Sequence, residues 1–419
     1  MKFERYHIAQ EIKDSLAAQG FRRPTDIQFK AIPNILAGED VLAIAQTGTG
    51  KTAAFVIPIL DMIQRENRKQ RSFGIKCVVM APTRELAIQI TNVFKDIGRH
   101  LSVKTFAVYG GVDQDPQIAK LEEGIDILVA TPGRMFDLVS QGYIKLNKVR
   151  TVVLDEADHM LDLGFIKDIQ DLIKFLPRQR QTLFFSATIN EKIKKIAYSL
   201  VHKPVRIQIS PKDPVSRNIK HSVMYVEMDE KRFYLERLIN ENKESKILVF
   251  VRTKVRAERV QKAMGRVSIE AKTMHGDKTQ SDRLEILKAF SSGETKVLIA
   301  TDVSARGIDI PDVQIVVNYD LPEYTENYVH RVGRTGRGTK KGLAFSFCSP
   351  EEAPLLREIQ GFLGSDIKRL EIDDTSREAI VDLTKTKPLT MDGIEQNLEQ
   401  LIRGKRTKRK AKTKDKKKH

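Results

Sequence analysis

VLAIAQTGTGKT, residues 41–52, decides how this chain is read. Five apolar residues of strand length run into a glycine-rich turn, and AAFVIPIL continues with the apolar content of a buried helix. Glycines at 48 and 50 let backbone N–H groups curl around phosphate, Lys51 can reach the β and γ phosphates, and the Thr52 hydroxyl can face Mg2+. The general pattern GxxxxGK[ST] places a glycine at 45, where this chain has Ala45. The strand before the turn and the helix after it keep the phosphate-loop reading despite that departure.

Outward from this turn, short apolar runs alternate with helical patterns: CVVMA (77–81), TFAVY (105–109), DILVA (126–130), TVVLD (151–155) and TLFFSAT (182–188). The runs are continuous rather than alternating, as parallel strands covered on both faces require. A second series follows in KILVFV (246–251), AKTMH (271–275), VLIATD (297–302), QIVVNYD (314–320) and LAFSFC (343–348). Between them ISPKDPVSRNIK (209–220) carries two prolines and no sustained apolar period, the mark of a linker. The fold class is therefore α/β, with two tandem parallel-sheet domains: 1–209, a linker at 210–220, and 221–370. An extension at 371–402 and a basic tail at 403–419 follow. Open parallel sheets take ligands beyond the carboxyl ends of their strands, so the chemistry is expected between the two lobes.

Asp155 and Glu156 stand 104 residues past Lys51 at the end of an apolar strand, where a parallel sheet brings them beside the phosphate loop. Adjacent carboxylates there suit hydrolysis: Asp155 holds the hydration shell of Mg2+, and Glu156 orients and deprotonates the attacking water. An isolated acidic pair at a strand end would more simply be solvated charge; GKT upstream tips the balance. The second half has no GKT but offers HRVGRTGR (330–337), with Arg331, Arg334 and Arg337 at spacing three. Two of these arginines can complete the first lobe's site on closure.

The whole chain, 419 residues with a net charge of +17, has the length of several domains and favours an anionic partner. Eleven basic side chains and one acid fall within 403–419, so the body is only mildly basic, and this tail is expected to be disordered alone and to anchor nucleic acid. The longest apolar run, 53–60, is far short of the ~20 residues of a membrane span. Cys77 and Cys348, distant and in apolar runs, read as buried thiols rather than metal ligands or a disulfide, and a cytoplasmic location is expected.

Eleven motifs in order now give the chain a family resemblance: GFRRPTDIQ (20–28), AQTGTGKT (45–52), PTRELA (82–87), Gly110 with Gly111, TPGR (131–134), DEAD (155–158), SAT (186–188), VFVRT (249–253), QSDR (280–283), ATDVSARGID (300–309) and HRVGRTGR (330–337). It resembles the DEAD-box ATP-dependent RNA helicases over roughly residues 3–338. The resemblance implies two RecA-like domains, ATP with Mg2+ as cofactors, and RNA as partner. It further implies that Phe21 stacks on adenine and Gln28 reads its edge, with Ala45, Gln46, Thr47, Gly48, Thr49, Gly50, Lys51 and Thr52 around the phosphates and Asp309 on the ribose. Arg334 and Arg337 become γ-phosphate fingers. Asp158, Ser186, Thr188 and His330 link hydrolysis to closure. RNA backbone contacts fall to Arg84, Gly111, Thr131 and Arg134 on the first lobe and Arg252, Gly276, Arg283 and Thr301 on the second. Asp26 departs from the family's usual proline, and Phe3 matches its isolated upstream aromatic.

The expected function is RNA-stimulated ATP hydrolysis coupled to lobe closure and local, non-processive unwinding of short duplexes or remodelling of RNA–protein complexes. An ATP-gated RNA clamp or assembly platform is the alternative. A DNA translocase and a nucleic-acid-independent ATPase fit the motifs and charge less well.

Overall fold

The computed structural model describes residues 2–370 except 47, 70–71, 190, 210–214, 216–217, 306–309, 311 and 337–339. The expected extension and basic tail, 371–419, lie outside the described residues. Two seven-stranded sheets form. The first holds β1 (Val41–Ala45), β2 (Cys77–Met80), β3 (Thr105–Val108), β4 (Ile127–Ala130), β5 (Thr151–Leu154), β6 (Gln181–Ser186) and β7 (Val205–Ile209). The second holds β8 (Ile219–Tyr225), β9 (Ile247–Phe250), β10 (Lys272–Met274), β11 (Val297–Ala300), β12 (Ile315–Asn318), β13 (Gly342–Cys348) and β14 (Lys368–Arg369). Their orders are β3-β4-β2-β5-β6-β1-β7 and β10-β11-β9-β12-β13-β8-β14. Every strand pair is parallel.

The continuity of the apolar runs now has its physical cause. Along β2, Cys77 and Val79 enter one core while Val78 and Met80 enter another on the opposite face. In the second sheet Ile247 and Val249 part from Leu248 and Phe250 in the same way. Side chains alternate across a pleated strand, so a strand helix-covered on both sides must be apolar at every position. Both thiols are buried and free. No helix among the described residues is long and apolar enough to cross a membrane.

Three strands escaped the sequence reading. β7 is an edge strand whose exposed Arg206 and Gln208 interrupt its apolar residues, and β8 exposes Lys220 and Tyr225. β14 is only two exposed residues long. Ile219 and Lys220, at the close of the expected linker, already pair with Gly342 and Leu343 of β13. At the other end of the chain Phe3, Tyr6 and Ile8 are buried in the first lobe's core, and the Ala9 N–H donates to Asp61 Oδ1 at 2.7 Å on the helix Lys51–Lys69.

Candidate nucleotide and nucleic-acid site

Sheet order sorts the expected site residues. On the first sheet Gly111, Thr131 with Arg134, and Arg84 stand in the loops or the first turns of the helices that follow β3, β4 and β2. The adjoining half of the same edge, β5-β6-β1, carries the acidic tetrad, the end of SAT and the phosphate loop. The second sheet repeats the first half: Gly276, Thr301 and Arg252 follow β10, β11 and β9, which are neighbours.

At the phosphate loop Gly48 and Gly50 have φ of +80° and +90°, the left-handed backbone that a side chain would strain. A Cβ on Gly50 would stand 2.5 Å from Gln28 Nε2. The Thr49 hydroxyl donates to the Gln46 carbonyl at 2.7 Å. Lys51 is 7% exposed, and its Nζ has no hydrogen-bond partner among the described residues. A buried ammonium without an acceptor is costly, and a phosphate group is the acceptor this loop is shaped to supply. Thr52 is half-buried beside it; Thr47 lies outside the described residues. Ala45 sits inside β1, paired with Ile209 and packed in the core, so no positive φ is required where the usual pattern has glycine.

Gln28 is buried and tied down at both amide atoms. Its Oε1 accepts from the Thr25 N–H at 3.0 Å, and its Nε2 donates to the Gly50 carbonyl at 3.1 Å. The first contact closes a capping box with Thr25, which starts the helix Asp26–Leu36. Asp26 thus occupies the first helical position, where proline is commonly accommodated and where a carboxylate is favoured by the helix dipole. That explains why the departure leaves the loop in shape. Phe21 is exposed.

Asp155 and Glu156 follow β5 and are pushed in opposite directions. Burial raises the Asp155 carboxyl to about 7; Lys51 offsets part of this and Glu156 adds to it. Burial also opposes the Glu156 charge, but His159, Lys51 and Arg334 outweigh it and hold that carboxyl at about 2. A divalent cation beside Asp155 would supply the positive charge that its ionised form lacks. No group of three or more His, Cys, Asp or Glu side chains suited to a metal exists among the described residues. Mg2+ generally keeps waters and takes ligands from substrate phosphates. Glu156 has φ +49°, a left-handed conformation rare for a side-chain-bearing residue.

Asp158 clasps the end of β6. Its Oδ2 accepts from the Ala187 N–H, the Thr188 N–H and the Thr188 hydroxyl at 3.1, 2.9 and 3.0 Å, while the Ser186 hydroxyl donates to the Thr188 carbonyl at 2.7 Å. In the second lobe Arg334 is buried, its Nε donates to the His330 carbonyl at 3.1 Å, and its charge helps to lower the Glu156 carboxyl. Arg331 is spent internally, with Nε and Nη2 on the two oxygens of Asp302 at 2.5 and 2.8 Å and Nη1 on the Asp320 carbonyl at 2.7 Å. Arg337 and Asp309 lie outside the described residues.

Among the positions expected at nucleic acid, the Arg84 guanidinium lies where a Cβ on Gly111 would be, 2.0 Å from Nη1, so only glycine allows the approach. Arg134 Nη2 donates to the Val112 carbonyl at 3.0 Å. The Arg252 N–H donates to Asp320 Oδ2 at 3.0 Å, and its side chain is 40% exposed. Gly276 is exposed, and the Thr301 hydroxyl, buried, turns to Ser304. Arg283 crosses the cleft: its Nε lies 2.7 Å from Oε1 of buried Glu85. Sequence reasoning assigned no role to Glu85, because nothing in PTRELA points to a partner nearly 200 residues away. It also missed His159 and the acid Glu352 beneath Arg252.

Comparison with known proteins agrees with this arrangement. The family profile described as DEAD/DEAH box helicase matches residues 25–196, and that of the helicase conserved C-terminal domain matches 230–339. The chain is 42% identical over 359 residues to the ATP-dependent RNA helicase CshA of Listeria monocytogenes, covering 86% of this chain and 68% of the relative. With the ATP-dependent RNA helicase RhlB of Shewanella frigidimarina it shares 41% identity, covering 91% and 88%. Among solved structures, S. cerevisiae Dbp5 bound to RNA and ADP BeF3 superposes with a TM-score of 0.81 at 31% identity, over 92% of this chain and 99% of that one. Mss116p bound to single-stranded RNA and AMP-PNP gives 0.81 at 28% identity, over 97% and 85%. The two sheets are thus tandem RecA-like domains, and the chain belongs to the DEAD-box family of ATP-dependent RNA helicases.

Proposed function

We propose that this chain couples ATP hydrolysis to closure of its two lobes on RNA, bending one strand and separating short duplexes locally without stepping along them. The observation that carries the reading is that the lobes meet across the cleft: Arg283 of the second lies 2.7 Å from Glu85 of the first, and Lys51 and Arg334, from opposite lobes, both act to lower the Glu156 carboxyl. Neither lobe holds the phosphate loop, the acid pair and the arginine together, so a complete site requires both.

Lys51 neutralises charge on the β and γ phosphates. Glu156 orients the attacking water and takes its proton, while Arg334, joined by Arg337, meets the charge that builds on the transferred phosphoryl group. Thr52 and, through water, Asp155 would hold Mg2+, which would supply electrostatic stabilisation of the phosphate charge. Phe21 and Gln28 receive the base, and Asp309 the ribose. The Asp158 clasp on SAT, together with His330 of the second lobe, links hydrolysis to closure. Arg84, Gly111, Thr131, Arg134, Arg252, Gly276, Arg283 and Thr301 bind sugar and phosphate, which positions RNA without reading its sequence. The first lobe runs over 1–209 and the second from Ile219, where β8 begins, to 370, and the protein works in the cytoplasm.

Steady-state ATP hydrolysis with no polymer, single-stranded RNA, or single-stranded DNA of the same sequence tests this. Stimulation by RNA alone is expected; equal turnover in all three conditions sinks the coupling. Strand release that lags far behind residence time on single-stranded RNA would favour a clamp.

The Glu85–Arg283 pair gives a second prediction. Removing either partner leaves the other charge buried at the cleft, so Glu85→Gln and Arg283→Gln should each raise the RNA concentration needed for half-maximal ATPase, by about 10-fold for a loss of ~1.4 kcal/mol. The double variant should lose much less than the sum of the two. Additive losses would mean the pair does not form in the active state.

A further inference from the structure

His159 follows the acidic tetrad and belongs to none of the roles above. It is the third residue of the short helix Ala157–Asp162, whose N-cap is Glu156. The ring is 5% exposed, and neither nitrogen has a hydrogen-bond partner among the described residues. Its backbone N–H is already taken by Asp158 Oδ1 at 3.1 Å. The nearest acceptor to Nδ1 is Glu156 Oε2 at 3.5 Å, at the outer edge of hydrogen-bonding reach. Contacts of this kind are often long before substrate binds and tighten in the reacting complex.

A buried imidazole with both nitrogens idle is a desolvation loss with no return, unless one of them has work to do. Glu156 needs such a partner. It stands in a left-handed conformation and feels two cations, Lys51 and Arg334, either of which could draw its carboxylate away from a water molecule. We infer that His159 is a positioning residue for Glu156: its Nδ1–H donates to Oε2 and leaves Oε1 to face the attacking water. The inference rests on the hydrolytic role proposed for Glu156. It assigns His159 no contact with ATP, so nucleotide affinity should not depend on it.

The test compares His159→Asn with His159→Gln in the full chain. The asparagine amide nitrogen stands close to where Nδ1 stood, whereas the glutamine nitrogen extends toward the Nε2 position. Turnover at saturating ATP and RNA should fall about 10- to 100-fold in His159→Gln, the scale of a misplaced catalytic group, and stay within about threefold of wild type in His159→Asn. Affinity for a non-hydrolysable ATP analogue should be unchanged in both, and melting temperatures serve as the folding control. Equal turnover in the two variants, whether both fast or both slow, overturns the positioning role. Glu156→Gln run alongside separates the two readings: if that variant turns over ATP normally, the role of Glu156 fails first, and if it is dead while both His159 variants are fast, only the inference about His159 fails.

Discussion

Glu156→Gln is expected to keep ATP bound and to stop its turnover. The amide has the shape of the carboxylate and can still orient a water molecule, but it cannot accept the proton, and general-base catalysis of this kind contributes about 10²- to 10⁴-fold. The local electrostatics keep Glu156 in the ionised form that a proton acceptor needs. Lys51, Arg334 and His159 hold the Glu156 carboxyl at about 2, so it is ionised throughout the working range, whereas its neighbour Asp155 is driven up to about 7 by burial. The opposite shifts suit the division of labour proposed above, with Glu156 as proton acceptor and Asp155 beside the cation. Single-turnover hydrolysis with RNA, paired with a nucleotide-affinity measurement, reads the result. A variant that loses affinity and keeps its rate would place Glu156 in binding instead.

The largest expected effect on stability lies in the second lobe, at Lys231. Its side chain is 0% exposed, and Nζ donates to the Tyr319 carbonyl at 2.8 Å and to Glu352 Oε2 at 2.5 Å, with Asp320 Oδ1 at 3.8 Å. Glu352 also accepts the Leu321 and Ser349 N–H groups at 3.0 and 3.1 Å and lies 3.4 Å from Arg252. Lys231→Met preserves volume but leaves two buried carboxylates short of a cation. Breaking a buried pair in this way costs about 3–5 kcal/mol, whereas an apolar replacement of both partners often costs little. Lys231→Met should therefore unfold the second lobe at clearly lower urea, and Lys231→Met with Glu352→Leu should recover part of the loss. A shift worth under ~1 kcal/mol would show that water reaches the cluster. Because Glu352 and Asp320 also hold Arg252, the single variant should weaken RNA stimulation as well.

The parts of the molecule that the sequence announces are those governed by local chemistry. The phosphate loop is legible because two glycines with positive φ and a following Lys-Thr have few other uses, and the central strands because double-sided burial leaves them no polar position. β7 and β8 were missed for the converse reason: exposure on one side admits Arg206 and Lys220, and the neighbouring prolines spoke louder than the apolar residues. Long-range partners were not legible at all. Glu85 looks like an ordinary acid in a helix's first turn and Lys231 like a surface lysine, until the fold sets Arg283 and Glu352 beside them. Arg331 shows the reverse: three arginines at equal spacing suggest one shared task, yet the first is consumed by Asp302.

The sorted edge of the first sheet has a mechanical corollary. The strands that end at Arg84 and at Asp155 are immediate neighbours, β2 and β5, locked in parallel register from Cys77–Thr151 to Met80–Leu154. A hydrogen-bonded ladder of that kind behaves as a ruler of fixed length: it cannot stretch or slip to carry news from one end of the edge to the other. On the coupling proposed above, whatever one ligand tells the other is spoken through the displacement of one ruler against its twin.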